Sequence, residues 1–343
     1  MLIGLDTLNR KVENKVGIKK VPKFHGVAFA LIVLIGNGIH PIINNSRPGE
    51  VNGFFFVLLM SFWEFMTSLA ISLFFKYRIK KAILHQKPTT QMIPPINLKK
   101  NFGILIGVGM IFSVATYFYV EGLANAGAVS GSIALKSSPI YAFIIGAIFF
   151  KERPKFGQIF FTFIILIGIY YLGTEGSWQM NSFSLWFGLL LLVPLLWTIG
   201  HSFTKPLLEK RQVTPLNVIQ IRSGVITVIF LIISLSLYGF QEVMKVFFTW
   251  EAFTSSFLMG FIYFFMHYSW YNSIQTISIA YASALVTPSP VITALLAWMF
   301  LNDDFLLYHF VGLLITIIGL YGIIWINSRE EGKANLEIMT ELP

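Results

Sequence analysis

Of the chain's 343 residues, 55% are hydrophobic and only 12% charged, with a formal net charge of +9. A soluble domain usually carries about 25% charged residues and could not cover this much apolar surface, so a soluble globular class is excluded and most of the chain is solvated by lipid. The absence of cysteine excludes disulfides, thiolate metal sites and thiol catalysis. The positive charge lies in short segments beside apolar runs with no recognition motif, so nucleic acid is not an expected partner.

Residues 1–23 hold six basic residues in polar sequence and read as a cytoplasmic surface segment, not a cleavable leader. A bilayer crossing needs about 20 mostly apolar residues. Ten such runs follow, at 24–43, 52–76, 102–121, 125–150, 155–173, 183–204, 216–239, 253–273, 277–301 and 306–327. Reading 102–150 as one helix would require about 73 Å, too long for one crossing, so it is divided near Ala124-Asn125-Ala126-Gly127. The same length argument divides 253–301 near Gln275-Thr276. Lys and Arg set the orientation. With a cytoplasmic N-terminus, 21 of the 25 fall on the inner side and two, Arg47 and Lys245, on the outer; Lys136 and Arg222 lie within spans. Both termini are therefore expected inside, in a multi-pass protein of the cell membrane. Segment 77–100, basic and containing Pro94-Pro95, reads as a cytoplasmic linker, and 328–343 as a cytoplasmic tail.

A shift of 151 residues lays the second half on the first. Tyr117 then falls on Tyr268, Pro139 on Pro290, Glu152 on Asp303, Gly168 on Gly319 and Tyr170 on Tyr321. Five matches in one register, within matching hydropathy, indicate duplication. Five spans per half is an odd number, so the halves must insert with opposite topology. The expected fold is an all-α integral membrane protein of ten transmembrane helices, built as two inverted five-helix repeats at 24–173 and 183–327. Secondary transporters commonly use this plan, with the substrate near the midplane between halves.

The segment from Tyr117 to Leu172 carries Glu121-Gly122-Leu123-Ala124, Ser138-Pro139-Ile140, Phe150-Lys151-Glu152-Arg153 and Gly168, and Tyr268 to Tyr321 repeats the pattern more loosely. In order, spacing and duplication the chain resembles the drug/metabolite transporter superfamily, EamA-type, over essentially its whole length. The resemblance implies a ten-helix metabolite carrier working by alternating access, without implying one substrate. Glu64 stands where the second half has Arg222, a departure from the commoner pattern of that family.

An ionisable group inside the bilayer costs about 2.5–3.5 kcal/mol on insertion scales, so each one invites a functional reading. Lys136 lies near mid-span, after Gly127, Gly131 and Ser132 and before Ser137-Ser138-Pro139. Proline leaves a helix carbonyl without its donor. A cation beside such backbone suits anion capture; the plainer reading is a structural pair with Glu64. Glu64 is also mid-span, in Phe62-Trp63-Glu64-Phe65, and either carries a coupling proton or neutralises Lys136. Arg222, six residues into its span, reads first as snorkelling to the cytoplasmic interface. His40 and His201 end the equivalent first helices of the two halves and could line opposite mouths of a pathway; His267 is a third histidine within a span. Tyr117, Tyr119, Trp270 and Tyr271 share a depth and either wall a cavity or pack. Thr287 completes the candidate substrate-binding set of Lys136, Glu64, Tyr117, Thr287, Trp270, His40, His201 and Arg222, with Glu64 the candidate coupling residue.

No Walker-type loop, Gly-x-Ser-x-Gly elbow or His-x-x-x-His spacing occurs, so neither an enzyme nor a cofactor or metal site is expected. The sequence reads as a secondary carrier of a small polar metabolite, anionic or zwitterionic by virtue of Lys136. The competing readings are a carrier of a cationic or amphipathic compound, with Glu64 and aromatic residues as its site, a membrane-embedded enzyme, and a non-transporting scaffold or receptor. The expected partners are a small-molecule substrate and the lipid bilayer, and the sequence is compatible with a homodimer.

Overall fold

In the computed structural model the described residues are 23–84, 98–138, 140–141, 156–179, 184–277, 279–301 and 305–340. Residues 142–150 of the fourth expected span lie outside them. So do Pro139, Glu152 and Asp303 of the repeat register, the core of the basic linker, and Lys151 and Arg153. Among the described residues there are helices and no strand.

The helices are α1 (Lys23–Asn45), α2 (Gly53–Leu84), α3 (Leu98–Ala126), α4 (Ala128–Ala134), α5 (Phe156–Gly173), α6 (Leu185–Glu209), α7 (Pro215–Phe248), α8 (Trp250–Thr276), α9 (Ile279–Leu285), α10 (Ser289–Phe300) and α11 (Leu307–Thr340). Seven of them, α1, α2, α3, α5, α6, α7 and α11, are long and apolar enough to cross a bilayer. α8, with 27 residues, is long enough but not among the apolar seven. The reason lies in Ser, Tyr, His, Asn and Gln side chains that it spends on the interior.

Local chemistry sets the breaks. Gly127 has φ +81°, a left-handed conformation that disfavours side chains, and it separates α3 from α4. Gly239, at φ 77°, interrupts α7. Thr214 caps α7 with a reciprocal bond to Asn217, ahead of Pro215 in the first turn. The expected continuous span 277–301 is a correction: it is two helices, parted at Val286–Pro288. Pro290 has no N–H to offer the carbonyl four residues back, Val286 O, so the ladder fails there. The last helix also runs on through Thr340 instead of ending at 327.

The main packing pairs are α5 with α11, α2 with α7, α3 with α6, α1 with α8, α2 with α8 and α3 with α7. Exchanging the two halves returns the same set of pairs. Glycine allows the closest approaches. A Cβ on Gly168 would lie 2.8 Å from Thr316 Oγ1 and 3.2 Å from Gly312 O, and one on Gly319 would lie 2.9 Å from Phe161 O. These repeat-related glycines therefore set one shared α5–α11 interface. Facing outward, Phe156, Leu185, Phe203, Phe248 and Trp298 are exposed apolar side chains, as lipid requires.

Candidate functional site

A cavity of about 120 Å³ sits at the centre of the helices. That is room for about four waters at their liquid volume of about 30 Å³ each. Its wall draws on α1, α3, α4 and the turn after it, α6, α8, α9, α10 and α11. Of 23 lining residues, eighteen form pairs related by the duplication. At the 151 offset these include Phe112 with Tyr263, Tyr119 with Trp270, Ser132 with Ser283, Lys136 with Thr287 and Ser138 with Ser289. At an offset of 161, Asn37 matches Thr198 and His40 matches His201. Nine of the lining residues come from the first half and fourteen from the second, so both halves build the cavity.

Lys136 lies in the 3₁₀ turn after α4, Leu135–Ser137. Its Nζ donates to Val286 O at 3.2 Å. That carbonyl, which loses its i+4 donor at Pro290 and accepts from Ser289 N at 3.3 Å, lies at the break, so the cation of one half reaches the broken helix of the other. No described carboxylate pairs with Lys136, which corrects the expected pairing with Glu64. An ammonium has three N–H donors, and this bond uses one.

Glu64 from α2 instead meets Arg222 from α7 in a buried ion pair, each side chain 1% exposed. His267 from α8 completes the cluster, its Nδ1 2.8 Å from Arg222 Nη2 and 2.9 Å from Glu64 Oε1. Gly260 lets α8 come this near: a Cβ there would lie 2.7 Å from Trp63 Cβ and 2.9 Å from Glu64 N. The Arg222 guanidinium also sits 4.9 Å from the Phe112 ring centre. Arg222 is therefore an interior residue, and the expected snorkelling to the interface is corrected. Snorkelling requires an unpaired head group, and Glu64 supplies a partner within the protein.

Of the expected set, Lys136, Thr287, Trp270, His40 and His201 line the cavity. Glu64 and Arg222 lie behind its wall, where His267 alone of the three faces it. Tyr117 is outside the wall; it stacks on Phe54 at 4.6 Å and meets Phe230 at 6.0 Å, which makes it packing between α2, α3 and α7. The two terminal histidines line this one cavity, not opposite mouths. His40 stacks on Tyr263 at 4.4 Å, and His201 meets Trp270 at 5.4 Å. Among the described residues, His40 Nε2, His201 Nδ1 and Trp270 Nε1 are buried without a hydrogen-bond partner. Sequence reasoning left out Asn37, Trp197 and Tyr263, and kept His267 outside its binding set. The available signal was the i, i+4, i+7 spacing of Tyr263, His267 and Trp270, which puts them on one face of α8.

Polar clasps cross both ends of the cavity. At the end where α1 finishes, Asn44 Nδ2 donates to Val120 O at 2.9 Å, Asn45 Nδ2 to Leu123 O at 3.1 Å, and Arg47 Nη2 to Glu121 Oε1 at 2.7 Å. At the end where α6 finishes, Lys205 Nζ donates to Ile274 O at 2.7 Å and Gln275 Nε2 to Leu208 O at 2.9 Å. Ser273 Oγ donates to Gly26 O at 2.9 Å, so the end of α8 lies at the start of α1. The two clasps therefore stand at opposite ends of α1. Leu123 and Ile274 are related by the same 151 shift.

The EamA-like transporter family matches residues 24–174 and 184–325. No curated protein matches the chain. One solved crystal structure, 11% identical, superposes with a TM-score of 0.60 over 89% of this chain and 98% of its own. At that identity the likeness is one of fold.

Proposed function

Because the chain belongs to the EamA-like transporter family, we propose that it is a secondary transporter of a small anionic or zwitterionic metabolite, working by alternating access. One observation carries the substrate class. Among the described lining residues, Lys136 is the only Lys, Arg, Asp or Glu, and its bond to Val286 O uses one of its donors. A cationic ligand would find no described carboxylate in the wall, since Glu64 is already held by Arg222 behind it.

Ten crossings in two inverted repeats account for the packing. The end of α1 meets the end of α3 through Asn45 and Leu123, and the end of α3 meets the start of α6, where a Cβ on Gly122 would lie 2.9 Å from Leu190. Corresponding first helices then run in opposite directions. α8, the broken α9–α10 and a crossing begun by α4 bring the apolar seven to ten. The excess of Lys and Arg puts both termini, and the Lys205 clasp, on the cytoplasmic side.

The function is tested by uptake of labelled metabolites into proteoliposomes. Anions and zwitterions are expected to accumulate or exchange and organic cations not to. Uptake confined to cations would overturn the substrate class, and no uptake of any kind would overturn transport.

Alternating access gives the two clasps opposite effects. The chain lacks cysteine, so a single Ser283→Cys reports on the cavity. Arg47→Gln should raise its labelling by an impermeant thiol reagent from outside, and Lys205→Met should lower it. Each shift should be about fivefold, from about 1 kcal/mol on a two-state equilibrium. Shifts of the same sign in both variants would rule out the clasps as opposing gates.

A further inference from the structure

We infer that His267 is a binding site for a coupling proton, with the Glu64 carboxylate, held in place by Arg222, as its acceptor. The proposal rests on the transporter reading above and moves the coupling role from Glu64 to the histidine. Only His267 of the three reaches the cavity wall, so only it can exchange a proton with whichever side the cavity faces. Glu64 and Arg222 are each 1% exposed behind it.

The geometry at Nδ1 makes the site two-state. Its neighbours are a donor, Arg222 Nη2 at 2.8 Å, and an acceptor, Glu64 Oε1 at 2.9 Å. A neutral imidazole nitrogen can accept from the first or donate to the second, but cannot do both. Adding a proton to the ring settles the choice. Nδ1–H then donates to Glu64, both ring nitrogens carry hydrogen, and Arg222 must give up its contact with the ring and keep only Glu64. The proton comes from the facing solution and returns to the opposite one, so no bond other than N–H is made or broken.

The elements around the cavity carry these titratable groups. His40 comes from α1, Glu64 from α2, Tyr119 from α3, Lys136 from the turn after α4, His201 from α6 and Arg222 from α7. Tyr263 and Tyr271 come from α8 itself, the Tyr263 ring lying 4.5 Å from His267. Among these, Glu64 is the only anion, and it touches only His267 of the three cavity histidines. A proton shared by the three imidazoles therefore settles on His267. Because the site joins α2, α7 and α8, a change there is felt by helices from both halves.

The test uses the full chain in lipid bilayers with ¹⁵N-labelled histidine, and the proton itself as ligand. The ring signal missing in His267→Gln, or left over after assignment of the other five histidines by the Gln variants of His25, His40, His85, His201 and His309 if that variant fails to fold, is followed from about pH 8 to about pH 3. It should convert from neutral to imidazolium on acidification, and Glu64→Gln should leave it neutral at the acid end. A ring that stays neutral throughout, or one indifferent to Glu64→Gln, overturns the proposal whether or not a substrate has been found. With a substrate from the uptake screen, one pH unit should sustain about tenfold accumulation at one proton per molecule. His267→Gln should reduce that ratio to one. Accumulation by the variant equal to that of the native chain would overturn the coupling role and leave the transporter reading standing.

Discussion

Arg222→Leu is expected to destabilise the protein by about 3–5 kcal/mol, because it leaves the Glu64 carboxylate buried without its cation. The two side chains are each 1% exposed, so water cannot take the place of the missing partner. Against a typical total of about 5–15 kcal/mol, that loss should appear as a failure to accumulate in the membrane. The double variant Glu64→Leu, Arg222→Met removes both charges and keeps apolar volume. Such replacements of a buried pair are often neutral or stabilising, so the double variant should regain most of the expression lost by the single one. It should remain inactive in gradient-driven transport, since His267 loses its acceptor. Thermal unfolding in detergent and proteoliposome uptake check the two halves of this expectation. A single variant as stable as the native chain would show that the pair is not the interior anchor assigned to it.

Lys136→Gln is expected to separate stability from function in the opposite direction. The native ammonium has one backbone acceptor, Val286 O, and no described carboxylate, so it is held in the interior at a cost. Glutamine can keep the donation to Val286 O without the charge. The variant should therefore unfold at a temperature equal to or higher than the native chain's. Uptake of an anionic substrate should fall about tenfold to 150-fold, from about 1.5–3 kcal/mol for a hydrogen bond to a charged group. Lys136→Arg should recover part of it. If Lys136 merely ties the turn after α4 to the broken α9–α10 segment, Lys136→Gln will transport like the native protein. That result would remove the anion site from the cavity.

How much of this was legible in the sequence differs with the kind of statement. Hydropathy revealed membrane helices because lipid leaves a crossing segment few choices: about 20 apolar residues with every backbone group bonded inside the segment. The break at Gly127 was near where length alone required one. The duplication was legible too, and its 151 shift carried more than topology. It relates Lys136 to Thr287 and Tyr119 to Trp270, positions that all line the cavity. α8 was readable as a span, and its lower hydropathy, seen with its site residues in place, is the cost of Tyr263, His267 and Trp270 on one helix.

What the sequence by itself determined, then, was depth: which charged and aromatic side chains stand inside the bilayer, and which positions the repeat makes equivalent. Partner choice came only from the tertiary structure. Glu64, Lys136 and Arg222 are all within spans, and depth does not tell which way each points around its helix or which helix lies opposite. Close packing of α2 against α7, and of α8 on α2 at Gly260, gave Glu64 to Arg222 and His267 and left Lys136 to a carbonyl. Tyr117 and Tyr119 show the same limit two residues apart. They share a depth, but a helix turns by about 100° per residue, so one packs on Phe54 while the other walls the cavity.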